Sequence, residues 1–124
     1  MGRLTTHVLD TARGRPGDGV AVAVYRLSGD GVGDKAGDRV QLARTRTNAD
    51  GRTDEPLLEG AAFAAGVYEI VFGAGEYFGR TTMDLPAPSF VGDVVLRFGV
   101  ASPAEHYHVP LLVSPWSYQT YRGS

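Results

Sequence analysis

Two histidines separated by one residue lie near the end of the chain, in the stretch HYHVPLLVS. If this stretch is a β-strand, alternate side chains point to opposite faces, so His106 and His108 project from the same face. Two imidazoles on one face can bind a metal ion, share acid–base chemistry or form an ordinary surface pair. The spacing alone leaves these three interpretations open.

A third histidine and one arginine could complete such a site from distant parts of the chain. His7 lies in a predicted first strand, and it would meet the terminal pair if that strand packs beside them. Arg52 follows an Asp-Gly turn, where it is either a solvated loop residue or a fixed guanidinium. A fixed guanidinium presents paired donors that suit a planar, electron-rich substrate.

The last nine residues, WSYQTYRGS, are rich in aromatic and polar side chains. A hairpin with a two-residue turn at Pro115-Trp116 places Gly123 opposite His108 and puts Ser124 within diagonal reach of that ring. No strand-to-helix elbow surrounds Ser124, so we interpret it as a hydrogen-bonding partner and not as a nucleophile. The chain end is therefore predicted to belong to the histidine site.

The elements that must position these residues are short strands, because apolar residues recur with a period of two and turns are frequent. A short edge strand is expected at PLLEG and one short helix in AGEYFGRTTM. The other predicted strands are residues 6–10, 20–27, 39–47, 66–73, 93–100, 106–114 and 117–123. Seven or eight such strands predict an antiparallel β-sandwich that forms a single domain over residues 1–124.

The histidine face of the terminal strand is predicted to point outwards, because the alternate residues Tyr107, Val109, Leu111 and Val113 suit a core. That outer face also carries Leu112 and, from the next strand, Tyr121. Apolar groups on an outward sheet face indicate that a partner covers it. We therefore expect the chain to form an oligomer.

Composition excludes several classes of function. The 12 basic and 14 acidic residues are well mixed and give a net charge of −2, which disfavours a nucleic-acid partner. No apolar run is long enough to span a membrane. The chain has no cysteine, so disulfides and thiolate sites are excluded. No signal peptide precedes the first strand, and a cytoplasmic location is expected.

Three blocks of sequence carry a family resemblance: LTTHVLD near the start, TNADGRTD in the middle and HYHVPLLVSPWSYQTYRGS at the end. Together they resemble the 5-hydroxyisourate hydrolases, the transthyretin-like proteins of urate degradation. The likeness spans essentially the whole chain, and the blocks fall in the family's order. The terminal Tyr-Arg-Gly-Ser is the hallmark that separates these hydrolases from transthyretin proper.

The resemblance implies a transthyretin-like fold of two four-stranded antiparallel sheets with one short helix. It also implies dimers joined through sheet edges and a homotetramer made by stacking dimers, with active sites in the cleft between them. No nucleic acid or membrane partner is implied.

The implied activity is the purine-pathway hydrolysis of 5-hydroxyisourate to 2-oxo-4-hydroxy-4-carboxy-5-ureidoimidazoline. Carried over to this sequence, the catalytic residues are His7, Arg52, His108 and Ser124. The implied substrate-binding residues are Arg52, His106, Tyr121, Arg122 and Gly123. No metal or organic cofactor is expected. The alternatives are a small metalloenzyme that uses the three histidines, a structural sandwich, and a non-catalytic transthyretin-like protein that binds a small molecule.

Overall fold

The protein is described by a computed structural model for residues 2–33 and 37–123. Its strands form two facing sheets around one hydrophobic core, with one α-helix. The strands are β1 (Arg3–Asp10), β2 (Arg15–Pro16), β3 (Ala21–Leu27), β4 (Arg39–Arg46), β5 (Leu58–Glu59), β6 (Gly66–Phe72), β7 (Val94–Val100), β8 (Tyr107–Val113) and β9 (Tyr118–Thr120). The helix α1 spans Ala74–Thr81, and a short 3₁₀ helix spans Gly60–Ala62. The predicted all-β sandwich with one short α-helix is confirmed.

Sheet I has the order β2-β1-β8-β9, with the two-residue β5 also paired to β1, and sheet II has the order β4-β3-β6-β7. Along most of the longer strands every second side chain is buried, as in β6, where Tyr68, Ile70 and Phe72 are fully buried. Because a strand's side chains alternate between faces, the same pattern in β1 leaves Thr5 and His7 on the outer face of sheet I.

One pairing departs from the expected antiparallel arrangement, since β1 and β8 run parallel over seven residue pairs. Parallel neighbours need a long connection, and here nearly the whole chain separates the two strands. The register aligns Thr5 with His108 and His7 with Pro110. This pairing brings the N-terminal and C-terminal blocks of the sequence side by side.

The predicted register of the terminal hairpin is confirmed. Leu112 pairs with Gln119, and an isolated bridge joins His108 to Gly123. The regular part of β9 is shorter than predicted, because it covers Tyr118–Thr120.

Strict alternation along β4 would put Val40, Leu42 and Arg44 on one side, but this alternation is interrupted. A bulge opposite Val24 and Tyr25 leaves Leu42 as an extra residue, so Ala43 is the residue that packs on the core. Val40 and Leu42 stay exposed on this edge strand. Among the described residues, no helix has the length and apolar character needed to cross a lipid bilayer.

A buried polar contact holds α1 against the end of β1. The Tyr77 hydroxyl donates to Asp10 Oδ2 at 2.7 Å, and the other carboxylate oxygen accepts the backbone N–H groups of Ala12 and Arg13. Both Asp10 and Tyr77 are almost inaccessible to solvent. Burial, followed by the hydrogen bond to Asp10, raises the pKa of Tyr77 to about 12.

Removal of this hydroxyl is expected to destabilise the fold. Tyr77→Phe leaves Asp10 Oδ2 without its donor inside the protein, and a hydrogen bond to a charged group contributes about 1.5–3 kcal/mol. Urea unfolding of the variant should report a loss of that size. Tyr25→Phe, at a half-buried tyrosine that stacks on Arg39, is the matched control. Equal stability of the two variants would contradict the assigned role of the contact.

Candidate active site

The outer face of sheet I gathers the predicted site residues from both ends of the chain. Alternation along β8 turns His108 outwards, and His106 precedes that strand on the same side. The parallel register sets Thr5 directly beside His108. These residues and Arg52 line an open cavity of about 350 Å³, together with the carboxylates Asp54 and Glu55.

The Thr5 hydroxyl joins the two C-terminal histidines. Thr5 Oγ1 lies 2.8 Å from His108 Nδ1 and 2.8 Å from His106 Nε2. The two rings are inclined to each other with their centres 6.3 Å apart. His108 therefore has Nδ1 engaged by the protein, which leaves Nε2 as the ring nitrogen for chemistry.

The surroundings of His108 favour its neutral form. Burial lowers the pKa of His108 below its ordinary value of 6.5, and the positive charges of Arg52, His106 and His7 lower it further. A neutral imidazole at pH 7 can accept a proton, so His108 is suited to act as a general base.

The ring of His7 is oriented by the backbone of the loop between β4 and β5. His7 Nε2 lies 2.9 Å from the Asp50 carbonyl oxygen, and a carbonyl accepts only, so His7 Nε2–H is the donor. Burial and the nearby Arg52 guanidinium lower the pKa of His7, against the opposing effect of Asp50. His7 is not part of the cavity lining in a single chain, but its charge acts on His108.

A tight turn holds Arg52 in place. The Asn48 side chain accepts the backbone N–H groups of Asp50 and Arg52, and Gly51 adopts a φ of 76° that favours glycine. The Gly51 carbonyl accepts Val8 N–H from β1 at 2.7 Å, which docks the turn on sheet I. Arg52 is exposed, and none of the salt bridges within residues 2–33 and 37–123 uses its guanidinium.

Gly123 packs directly against His108. Its N–H donates to the His108 carbonyl at 2.7 Å, and a Cβ built on it would lie 3.0 Å from His108 Cδ2. The absence of a side chain at Gly123 therefore lets the ring stand against the end of the chain.

Gly123→Ala is expected to move the His108 ring by a few tenths of an ångström. Because catalysis is sensitive to small displacements of a catalytic group, kcat for the hydrolysis that the family resemblance implies should fall about tenfold. Steady-state kinetics would measure the loss, and thermal unfolding should change little. Gly79→Ala, where a Cβ meets nothing within 4 Å, is the control. An unchanged kcat in Gly123→Ala would exclude this positioning role.

The Arg122 side chain is not part of the lining of the histidine cavity, although its guanidinium donates to the His106 carbonyl at 3.4 Å. Its guanidinium is paired with Glu105 at 2.9 Å and stacks over the Tyr107 ring at 4.0 Å, and it lines a different cavity between the sheet edges, together with the exposed Tyr121. Substrate binding by Tyr121 and Arg122 therefore stays a prediction. Ser124 lies outside the described residues, so its predicted role also stays a prediction.

Two features of the site were not anticipated from the sequence. Thr5 was missed because its position depends on the parallel pairing of β1 with β8, which the hydrophobic pattern does not reveal. The Asp50 carbonyl was missed because backbone acceptors carry no sequence signal. Within the described residues, no group of three or more His, Asp or Glu side chains is arranged to hold a metal ion.

The chain matches known proteins over its full length. Residues 4–123 match the HIUase/Transthyretin family. The chain is 53% identical over 124 residues to the 5-hydroxyisourate hydrolase of Pseudomonas aeruginosa, covering 100% of this chain and 93% of that protein. It is 55% identical over 123 residues to 5-hydroxyisourate hydrolase 2 of Rhizobium meliloti, covering 99% and 97%.

Solved structures of the same fold also match this chain over nearly its whole length. The Klebsiella pneumoniae 5-hydroxyisourate hydrolase has a TM-score of 0.78 at 31% identity and is covered completely, as is this chain. An (S)-allantoin synthase has a TM-score of 0.88 at 42% identity, with 99% of this chain and 44% of that chain covered. Sea bream transthyretin in complex with thyroxine has a TM-score of 0.83 at 29% identity, covering 98% and 94%. This chain therefore belongs to the HIUase/transthyretin family, as its fold, the family match over residues 4–123 and two full-length relatives with more than 50% identity together show.

Proposed function

We propose that this protein hydrolyses 5-hydroxyisourate to 2-oxo-4-hydroxy-4-carboxy-5-ureidoimidazoline, a step of urate degradation. The observation that carries the proposal is full-length identity above 50% to proteins named 5-hydroxyisourate hydrolase. The site supports it, because His106, His108 and Arg52 line one open cavity, and the pKa of His108 is lowered by burial and by Arg52.

In the proposed mechanism, His108 acts as the general base. Its neutral ring takes a proton from water through Nε2 while the water oxygen attacks a ring carbonyl of the substrate. The Thr5 contact at Nδ1 fixes the orientation of the ring. General-base catalysis of this kind contributes about 10²–10⁴ in rate.

Arg52 and His7 have further roles in the same reaction. The Arg52 guanidinium binds the substrate's oxygens and stabilises the oxyanion that forms as water adds. His7, with Nε2–H held by the Asp50 carbonyl, shares acid–base work with His108. Ser124 is proposed to orient the reacting groups through a hydrogen bond.

The second candidate function is that of a non-catalytic carrier, since the fold is shared with a transthyretin solved in complex with thyroxine. A carrier site for an apolar ligand gains little from the polar trio of His7, Arg52 and His108, because the desolvation of polar and charged groups is unfavourable. The composition of the site therefore favours the hydrolase.

A homotetramer is proposed as the working assembly. The strands β7 and β9 each form one edge of their sheet, which suits pairing through edges. The outer face of sheet I carries the half-buried Leu112, and Tyr121 near the end of the chain is exposed, which suits a second contact. Size-exclusion chromatography with light scattering would test this assembly. A cytoplasmic location stays a prediction from the sequence.

The test of function is an ultraviolet assay with freshly generated 5-hydroxyisourate. The purified protein should accelerate the decay of substrate absorbance well beyond the spontaneous rate. Heat-denatured protein and buffer are the controls, and a parallel sample treated with a chelator tests the metalloenzyme alternative. Decay at the spontaneous rate would refute the hydrolase and favour the carrier, whereas activity that is lost on chelation and restored by zinc would favour the metalloenzyme.

A further inference from the structure

The triad His106–Thr5–His108 constrains where its hydrogens lie. A threonine hydroxyl has one hydrogen to donate and two lone pairs to accept with. Thr5 Oγ1 is within 2.8 Å of one nitrogen on each ring, and these rings are its side-chain partners among the described residues. Both contacts are hydrogen bonds only if Thr5 donates to one ring and accepts from the other. This arrangement also gives the hydroxyl hydrogen an acceptor.

Two states of the triad follow from this rule. In the first, His108 Nδ1–H donates to Thr5 and Thr5 donates to His106 Nε2, so His108 Nε2 carries a lone pair. In the second, His106 Nε2–H donates to Thr5 and Thr5 donates to His108 Nδ1, so a neutral His108 carries its hydrogen on Nε2. The first state presents a base to the substrate and the second presents an acid.

We propose that His106 stores a proton for His108 and that the Thr5 hydroxyl carries it between the two rings. The proposal deepens the proposed function and rests on it. It gives His106 a role in acid–base chemistry beyond the contact with substrate that the family resemblance implies, and it gives Thr5 a role in catalysis.

Every proton is accounted for in this scheme. His108 Nε2 takes a proton from water as the new C–O bond forms, and the Nδ1 hydrogen then passes to Thr5 Oγ1 while Thr5 passes its own hydrogen to His106 Nε2. His106 is now the imidazolium, and His108 is neutral with a hydrogen on Nε2. When the C–N bond of the substrate breaks, that hydrogen goes to the leaving nitrogen, and the stored proton returns through Thr5 to His108 Nδ1.

The charges around the site support such a transfer. Among the described residues, the charged or titratable groups near the two rings include Arg3, His7, Arg52, Asp54, Glu55 and the ion pair of Arg122 with Glu105. Burial, Arg52, His106 and His7 hold the pKa of His108 low, so a proton that stays on His108 is unfavourable. Relay through Thr5 moves the positive charge away from the reacting ring before the leaving nitrogen needs an acid.

The decisive comparison is between Thr5→Val and Thr5→Ser. Valine keeps the shape of the side chain and removes the hydroxyl, so kcat should fall about 10–100-fold with KM little changed. Serine keeps the hydroxyl and should recover most of the rate. Thr11→Val removes a hydroxyl that donates to the Val113 carbonyl elsewhere on sheet I, and it is the matched control.

Variants of His106 separate proton storage from hydrogen bonding. Glutamine at His106 can still accept a hydrogen bond from Thr5 but cannot hold the proton, so His106→Gln should be as slow as His106→Phe. Because the residues act in one chain of transfers, the double variant Thr5→Val/His106→Phe should be no slower than the slower single variant. Additive losses in the double variant, or wild-type kcat in His106→Gln, would overturn the relay.

The position of the hydrogen on His108 can be measured without substrate, so this test does not depend on hydrolase activity. It can be made on two variants, so it still applies if one of them is unstable. Nitrogen-15 NMR of the histidine rings should show Nδ1–H on neutral His108 in the wild-type protein, and this preference should weaken in both Thr5→Val and His106→Phe. An unchanged His108 tautomer in both variants would overturn the linkage. A wild-type protein without hydrolase activity would refute the function, whereas an active protein with full kcat in Thr5→Val would refute the relay alone.

Discussion

His108→Asn is expected to lower kcat for 5-hydroxyisourate hydrolysis by about 10²–10⁴, the contribution of a general base. The asparagine amide can still reach the Thr5 hydroxyl from the position of Nδ1, but it has no group at the position of Nε2. The variant therefore removes the proton acceptor and keeps the contact that orients it. Pre-steady-state absorbance with freshly generated substrate would measure the loss.

The fold should survive this substitution, because His108 is half-buried on the outer face of sheet I and is not part of the hydrophobic core. Gln41→Asn, at an exposed position of β4 on the other sheet, is the control. The melting temperature of both variants should stay close to that of the wild type. A folded His108→Asn protein that hydrolyses substrate at the wild-type rate would show that the base lies elsewhere.

The geometry around His108 was largely predictable from local sequence. Alternation in HYHVPLLVS assigned the two histidines to one face, and the short turn at Pro115-Trp116 fixed the register that sets Gly123 beside His108. Both inferences work because a β-strand has a strict period of two and a two-residue turn leaves little freedom in the pairing.

The position of His7 required the tertiary fold. The sequence suggested that His7 meets the terminal pair if the first strand packs near the last ones, but periodicity does not say which strands become neighbours. The parallel pairing of β1 with β8 decides this, and it also places Thr5 between His106 and His108. A threonine in a strand is common, so its side chain gives no signal before its neighbours are known.

Arg122 shows the limit of reasoning from a motif. It lies between Tyr121 and Gly123 in the terminal stretch, and the family resemblance assigns all three residues to substrate binding. In the fold, the guanidinium of Arg122 turns towards Glu105 and Tyr107, whereas Gly123 lies against His108. Consecutive residues of an extended segment face opposite ways, so a sequence motif can supply two separate surfaces.

Arg52→Met is expected to lower kcat by about 10²–10³, the usual loss when a donor to a developing oxyanion is removed. Methionine retains a long, unbranched side chain and loses the charge and the paired donors. Arg52→Lys should recover only part of the rate, because a single ammonium replaces charge but not the planar fork of a guanidinium. Arg44→Met, at an exposed position of β4, is the control for loss of one positive charge.

The effect of Arg52 on the two histidines also predicts a pH dependence, both of turnover and of the titration of the protein without substrate. The Arg52 charge lowers the pKa of both His7 and His108, after burial, so both rings protonate below the ordinary value of 6.5. The acidic limb of kcat/KM in the wild type should therefore have its midpoint below 6.5, since His108 loses its function as a base once it is protonated. Loss of the Arg52 charge should raise both pKa values towards 6.5, as followed by proton NMR of the histidine rings. If the pKa values of the histidines are unchanged in Arg52→Met, or shift equally in Arg44→Met, then the charge of Arg52 does not act specifically on the two imidazoles.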